Sequence, residues 1–152
     1  MSTSTAARSR VSAFQRLGNR TMRLFHGLGM PVGPMHLLKV RGRKSGREYT
    51  NPVAPVRIDG VMYLLQAFPG SDWTKNVRAA GEAVLVRGRR ARRVRLVEVP
   101  PEERGPVVRE FPGQVPMGAG IFVKNGVVPD KRPESFERAA QGIPVFRVVP
   151  LD

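Results

Sequence analysis

The turn at residues 42–46 carries the strongest chemical signal in the chain. Its two glycines bracket Arg43, Lys44 and Ser45, and a second strand-like run begins at Tyr49. Glycine tolerates positive φ and lets a ligand approach the backbone closely. Two cations, a hydroxyl and exposed N–H groups on one tight turn make a seat for an anion such as a phosphate. The alternative is a basic strand connection that binds nothing.

The residues of the common hydrolases are missing. The sequence has no cysteine and no G-x-S-x-G elbow, and no pair of carboxylates falls at a predicted pocket. The GRKSG string lacks the Walker spacing, which argues against a nucleoside-triphosphate loop. An anion seat in a chain with few acid–base groups fits an enzyme whose cofactor carries the reaction. We therefore expect the turn to hold the phosphate of a flavin-like cofactor.

The composition and net charge of the chain limit the kinds of partner that it is expected to bind. Net charge is +14, from 26 Lys and Arg against 12 Asp and Glu, and this predicts a surface that attracts nucleic acid, acidic lipid or a polyanionic small molecule. Nucleic acid is the least favoured, because the basic residues are not interleaved with stacking aromatics. With no cysteine and only His26 and His36, no disulfide framework or metal cluster is expected. No apolar run approaches the roughly 20 residues that span a bilayer and no secretory signal is evident, so a cytoplasmic protein is expected.

Residues 1–34 are predicted to form a basic segment and linker ahead of a domain at residues 35–152. Between residues 10 and 28 the apolar side chains recur at steps close to a helical stripe, with arginines as the cationic complement. A helix packed on its own domain would explain this pattern. The alternative is an amphipathic helix resting on an anionic membrane, which would place the protein at the inner face of the cell membrane.

Alternating apolar residues and turn signals predict about six strands in the main domain. They fall at residues 36–40, 49–58, 61–67, 82–87, 91–99 and 145–149. Asp59-Gly60 is the strongest hairpin signal, and prolines 52 and 55 make the second strand an edge or a bulged strand. A helix over residues 72–80, capped by Ser71 or Asp72, should bridge the third and fourth strands.

The C-terminal third is less regular. A helix is expected to open at Pro101 and to kink or restart at Gly105-Pro106, and a short helix is expected at residues 135–141. Residues 112–130 are rich in Gly, Pro and Val, and no element is predicted there. Mostly antiparallel strands with short inserted helices indicate a mainly β (α+β) fold, a small closed or split barrel.

The series LLKVRGRKSGREYTNPVAPVRIDGVMYLLQAF, followed by DWTKNVRAAGEAVL, resembles the deazaflavin-dependent nitroreductase family. The shared features are the GRKSG turn, the proline-flanked strand after it, the Asp-Gly hairpin and a W-x-x-N helix with an alanine-rich end. The likeness runs from about Met35 to Val99 and returns weakly at residues 144–149. It implies a split β-barrel and a deazaflavin coenzyme, F420, whose phosphate and polyglutamate tail suit a basic surface.

The resemblance also implies the residues at the phosphate end of the coenzyme. Arg43, Lys44 and Ser45 would contact the phosphate and the tail. Asn51 and Pro52 would line the groove along the second strand.

At the ring end, the resemblance implies that Gln66, Ala67 and Phe68 run along the deazaflavin. Trp73 and Asn76, one helical turn apart, would close the pocket beside it. The alternative for Trp73 is an ordinary core anchor, and the alternative for Asn76 is a brace for a loop.

Relatives that reduce nitroimidazoles carry tyrosines in the C-terminal region, whereas this chain has only Tyr49 and Tyr63. An apolar substitute is predicted from Phe111, Met117, Phe122 and Phe136.

We therefore expect an oxidoreductase in which reduced F420 delivers hydride to a quinone-like, nitro or enone acceptor, with Ser71 or water supplying the proton. The alternatives are an FMN-dependent reductase of the same barrel class and a non-catalytic protein that binds a lipid or cofactor. The resemblance also implies that such barrels pair, so a homodimer is expected.

Overall fold

The structure, a computed structural model, describes residues 35–151. Within this range the strands are β1 (His36–Arg41), β2 (Glu48–Val53), β3 (Val56–Ile58), β4 (Val61–Leu65), β5 (Glu82–Arg87), β6 (Arg90–Glu98) and β7 (Val145–Pro150). The helices of the same range are α1 (Asp72–Ala80), α2 (Gly105–Gln114), α3 (Pro116–Lys124) and α4 (Pro133–Ala139), with 3-10 turns at Pro101–Glu103 and Ala140–Gly142. The predicted N-terminal segment, with its helix and its membrane contact, lies outside the described residues.

The sheet is antiparallel throughout, in the order β2-β1-β5-β6-β7-β4-β3. Its two edge strands, β2 and β3, are joined only by Ala54 and Pro55. If the seven-stranded sheet were flat, its two edges would lie about 29 Å apart, whereas the two-residue link can span at most about 11 Å. The sheet must therefore curl until its edges approach each other. The predicted split β-barrel is confirmed.

The described residues form seven strands rather than about six, because the predicted strand at residues 49–58 is two strands. Proline has no N–H for a ladder, so pairing stops at Ala54 and Pro55 and the chain passes to the other sheet edge. The predicted hairpin at Asp59-Gly60 is confirmed: Ile58 pairs with Val61, and the turn residues have φ of +50° and +80°.

The sheet buries a different cluster on each face. On the first face, which we call the α1 face, Trp73 and Val77 of α1 pack with residues such as Leu38, Leu64 and Phe146. The opposite face carries a second cluster formed with α2, α3 and α4. Residues directly opposite each other in an antiparallel pair point to the same face, so the register assigns each side chain to one of the two clusters.

Helix α3 occupies part of the stretch for which the sequence predicted no element. Its glycines permit close contact, since a Cβ at Gly118 would lie 2.9 Å from the Phe111 ring. The rings of Phe111, Phe122 and Phe136 lie 5.0 to 6.0 Å apart and are at most 4% exposed. These phenylalanines fill the core instead of lining an acceptor pocket, and Met117 points to solvent with 88% of its surface exposed.

Among the described residues, no helix has both the length and the apolar character needed to cross a membrane.

An ion pair ties α1 to the sheet. Arg78 donates from Nε and Nη2 to Glu98 at 2.9 and 2.7 Å, and Arg104 Nη2 donates to the same carboxylate at 3.2 Å. The hydrogen bonds from Arg78 lower the pKa of Glu98 below its ordinary value of 4.5. Arg104 is itself buried and also donates to the carbonyls of Val99 and Gln141.

We expect stability to fall in acid partly through Glu98. Its pKa is lower in the folded chain, so the stabilisation is present above the ordinary carboxyl range and is lost as pH falls through the folded pKa. Urea unfolding at neutral and acid pH should show a smaller acid loss in Glu98→Gln than in the wild type. An identical acid loss in the two proteins would contradict this role. Part of the slope should remain, because a hydrogen bond from Ser135 lowers the pKa of Asp130.

Candidate functional site

The predicted anion turn is the hairpin connection between β1 and β2. The Gly42 N–H donates to the Arg47 carbonyl at 2.7 Å, and the Gly46 N–H donates to the Gly42 carbonyl at 3.0 Å. Gly46 has a φ of +73°, which side-chain-bearing residues rarely adopt. A Cβ at Gly42 would lie 2.5 Å from Cε2 of Tyr49. Backbone conformation therefore requires the second glycine, and contact with a ring requires the first.

Two consecutive backbone N–H groups at the apex of the turn are without a hydrogen-bond acceptor among the described residues. The Arg43 N–H donates to Asn76 Oδ1 at 3.1 Å, and the Arg47 N–H donates to Ser45 Oγ at 3.2 Å. Within residues 35–151, the N–H groups of Lys44 and Ser45 have no acceptor. The exposed side chains of Lys44 and Arg47 form no ion pair with any described carboxylate. The turn thus carries two backbone N–H groups and two cationic side chains that have no protein partner among the described residues.

Arg43 is held within the protein instead of being free. Its Nη1 donates to Asn76 Oδ1 at 2.8 Å, and its Nη2 lies 3.5 Å from Asp72 Oδ1. Asn76 is only 5% exposed and accepts from both the backbone and the side chain of Arg43. This is the contact expected of a loop brace.

Asn51 is the described residue whose buried polar atom lacks a partner. Its side chain is 8% exposed, and its Nδ2 has no hydrogen-bond acceptor among residues 35–151. Asn51 lies directly opposite Leu38 in the β1–β2 pair, so its amide points to the α1 face. An unsatisfied buried donor costs on the order of 1–3 kcal/mol. Pro52 follows it in β2 and therefore points to the opposite face.

The predicted ring-side residues form a hydrogen-bonded loop before α1. Gln66 Nε2 donates to the Phe68 carbonyl at 2.9 Å, and its Oε1 accepts from Thr74 Oγ1 at 2.6 Å. Ser71 Oγ donates to the same Phe68 carbonyl at 2.5 Å and does not cap the helix, although Ser71 occupies the N-cap position. The Ala67 carbonyl accepts from Asn125 Nδ2 at 3.0 Å. This loop is therefore fixed by hydrogen bonds from its own Gln66 and Ser71 and from Thr74 and Asn125 outside it.

Trp73 belongs to the core cluster of the α1 face. It is 5% exposed, and its ring centroid lies 5.7 Å from that of Phe146. The arrangement is that of a core anchor, and a direct contact with a coenzyme stays a prediction.

The turn and α1 are brought together by direct contacts, and the loop at residues 66–71 leads into the first residue of α1. Asn51 lies on β2 two residues beyond Tyr49, whose ring covers Gly42. Neither Arg47 nor Asp72 is among the residues predicted from the sequence to bind the coenzyme. Arg47 directly follows the second glycine, so its position could have indicated a third cation, whereas nothing in the sequence indicates that Asp72 pairs with Arg43.

A separate cavity of about 320 Å³ opens on the face of the sheet opposite Asn51. Tyr63, Val97 and Arg147, which share that face of adjacent strands, line it together with Glu103 and Val107. It includes none of the residues predicted to bind the coenzyme.

Solved structures with the same fold include a protein described as a reductase. A protein described as an F420-H2 dependent reductase has a TM-score of 0.52 and 22% identity, covering 76% of this chain and 93% of its own. A second, described as a domain-swapped dimer, has a TM-score of 0.54 and 20% identity over 87% of this chain and 96% of its own. A conserved hypothetical protein from Mycobacterium tuberculosis has a TM-score of 0.53 and 13% identity over 79% and 74% of the two chains. The chain thus has the split-barrel fold of this class of proteins.

The sequence identifies the family. The model of the F420H(2)-dependent quinone reductase family matches residues 6–115 of the 152. The chain belongs to this family and is an F420-dependent oxidoreductase. No curated protein matches the sequence. Nothing in these matches supports the FMN alternative.

Proposed function

We propose that the turn at residues 42–47 holds the phosphate of F420. The support is the free pair of amides at Lys44 and Ser45, flanked by the unpaired cations of Lys44 and Arg47. Consecutive backbone N–H groups form a concave site for an anion, and charge-assisted hydrogen bonds to phosphate are roughly twice as strong as neutral ones. The net charge of +14 suits an acidic tail on the same coenzyme.

The single observation that carries the proposal of a bound F420, with its ring beside β2, is the unpaired Nδ2 of Asn51. A buried amide donor among apolar neighbours is destabilising unless something accepts its hydrogen bond. A ring carbonyl of the deazaflavin would supply that acceptor. The residues present therefore fit the coenzyme, with phosphate at the turn and a ring carbonyl at Asn51.

The protein positions the coenzyme ring and forms a side of the ring site that excludes water. F420H2, when bound, supplies the hydride. The loop at residues 66–71 is rigid because Gln66, Ser71 and Thr74 hydrogen-bond within it or to α1, so it can form one wall of the ring site. The hydroxyl of Ser71 is 2% exposed and already donates to the Phe68 carbonyl. Water is therefore the better source of the proton that the acceptor takes up, and Ser71 supports the wall.

The acceptor we propose is a quinone, on the support of the family description. A quinone takes one hydride and one proton, which needs no strongly acidic side chain. Mixing the protein with F420H2 and a soluble naphthoquinone should restore the absorbance of oxidised F420 faster than the uncatalysed reaction. A nitroaromatic and an enone should serve as slower acceptors.

The same experiment separates this proposal from a binding protein without catalysis. Tight binding of F420H2 with no acceleration for any acceptor would contradict the reductase and favour the binding role.

The homodimer stays a prediction, supported by the structural neighbour that is described as a domain-swapped dimer.

A further inference from the structure

We propose that Asn76 is a positioning residue that holds the anion turn in its binding conformation through Arg43. This inference rests on the proposed function of the turn. It assigns Asn76 and Arg43 a different role from direct contact with the coenzyme, because both side chains are already engaged with each other.

The geometry is that of a clamp across 33 residues of sequence. A single buried oxygen, Asn76 Oδ1, accepts from the Arg43 N–H at 3.1 Å and from Nη1 at 2.8 Å. The side chain of Arg43 is therefore folded back towards its own backbone, and the turn is fastened to α1. Helix α1 is in turn anchored by Trp73 in the core and by the Arg78–Glu98 pair.

The clamp determines which groups remain for a ligand. Because the Arg43 amide points to Asn76, the next two amides, those of Lys44 and Ser45, are left at the apex. Without the clamp, the turn could rotate its amides and the apex donors would no longer be held in one direction. Ordering them on binding would then cost conformational entropy, which lowers affinity.

Hydrogen exchange on the free protein tests the clamp without any coenzyme. In Asn76→Ala, the Arg43 amide should exchange at least about tenfold faster than in the wild type, because its acceptor is gone. Asn76→Asp keeps an oxygen acceptor and should restore the protection. Gln114→Ala is the matched control, since Gln114 also braces an arginine over a long range, accepting from the Arg57 N–H at 2.8 Å. Gln114→Ala should leave the exchange rate of the Arg43 amide unchanged.

A double-mutant cycle on F420 affinity tests how the clamp acts. Asn76→Ala and Arg43→Ala should each weaken binding about tenfold, and the double variant should be no weaker than the weaker single variant. Losses that multiply would show that the Arg43 and Asn76 side chains act on binding independently of each other and would overturn the proposal. Unchanged exchange at the Arg43 amide in Asn76→Ala would also overturn it.

The two measurements distinguish the clamp from the function on which it rests. If the wild type fails to bind F420, the proposed function is wrong, whereas the exchange result still decides whether the clamp exists. If Asn76→Ala unfolds, Arg43→Ala alone removes the side-chain half of the clamp and leaves α1 intact. In that variant the Gly46 amide, which donates to the Gly42 carbonyl within the turn, should exchange faster than in the wild type, and an unchanged rate would count against the clamp.

Discussion

Asn51→Leu should make the free protein more stable and the coenzyme complex weaker. Leucine has a similar size and removes the donor that has no partner on the α1 face. Replacing an unsatisfied polar group by an apolar one of similar shape should add about 1 kcal/mol to the free energy of unfolding. Loss of a hydrogen bond to a ring carbonyl should raise the Kd for F420 between about tenfold and a hundredfold.

The opposite signs of these two effects distinguish a binding residue from a structural one. Urea unfolding gives the first and a fluorescence titration with F420 the second. Asn125→Leu is a control for the first, because its Nδ2 already donates to the Ala67 carbonyl and its loss should lower stability. A destabilised Asn51→Leu with unchanged coenzyme affinity would show that Asn51 serves the fold alone.

Trp73→Ala should cost about 3–5 kcal/mol of unfolding free energy, the range for a buried aromatic truncated to alanine. Trp73 is 5% exposed, contacts Phe146 and fixes the helix that carries Asn76. A cost of this size is a large part of the total stability of a single domain. We expect a much lower urea midpoint and little F420 binding at room temperature.

Trp73→Phe separates the two roles considered for this residue. If Trp73 is a core anchor, phenylalanine should retain most of the stability and bind F420 within about threefold of the wild type. If the indole stacks on the coenzyme, the folded Trp73→Phe variant should lose affinity while its urea midpoint stays close to that of the wild type.

The fold was largely predictable because its strands obey local rules. Period-two alternation, the Asp-Gly turn and the helix at residues 72–80 all depend on neighbours in sequence, and all agree with the structure. Helix α3 was missed because its glycines and Pro116 lower intrinsic helix propensity. Its stability comes instead from packing between Phe122 and the other two phenylalanines of the core, which lie far apart in sequence.

The sequence indicates the residues of the candidate site, but it does not show which of them pair with each other. The glycines and cations of the GRKSG turn are visible in the sequence, and so is the direction of Asn51 once β2 is placed. The partners of Arg43 were not visible, because Asn76 reaches it only through the packing of α1. Sequence therefore overestimates how many cations of the turn are free, and the structure shifts the emphasis to Lys44 and Arg47.

The most direct test of this account is a titration of the protein with F420 at several salt concentrations, comparing two charge-matched double variants. Lys44→Ala with Arg47→Ala should weaken binding about a hundredfold and reduce its salt dependence. Arg93→Ala with Arg95→Ala removes the same charge from exposed positions of β6 and should change affinity no more than about threefold. Equal losses in the two variants, or full affinity without Lys44 and Arg47, would contradict a phosphate site at the turn.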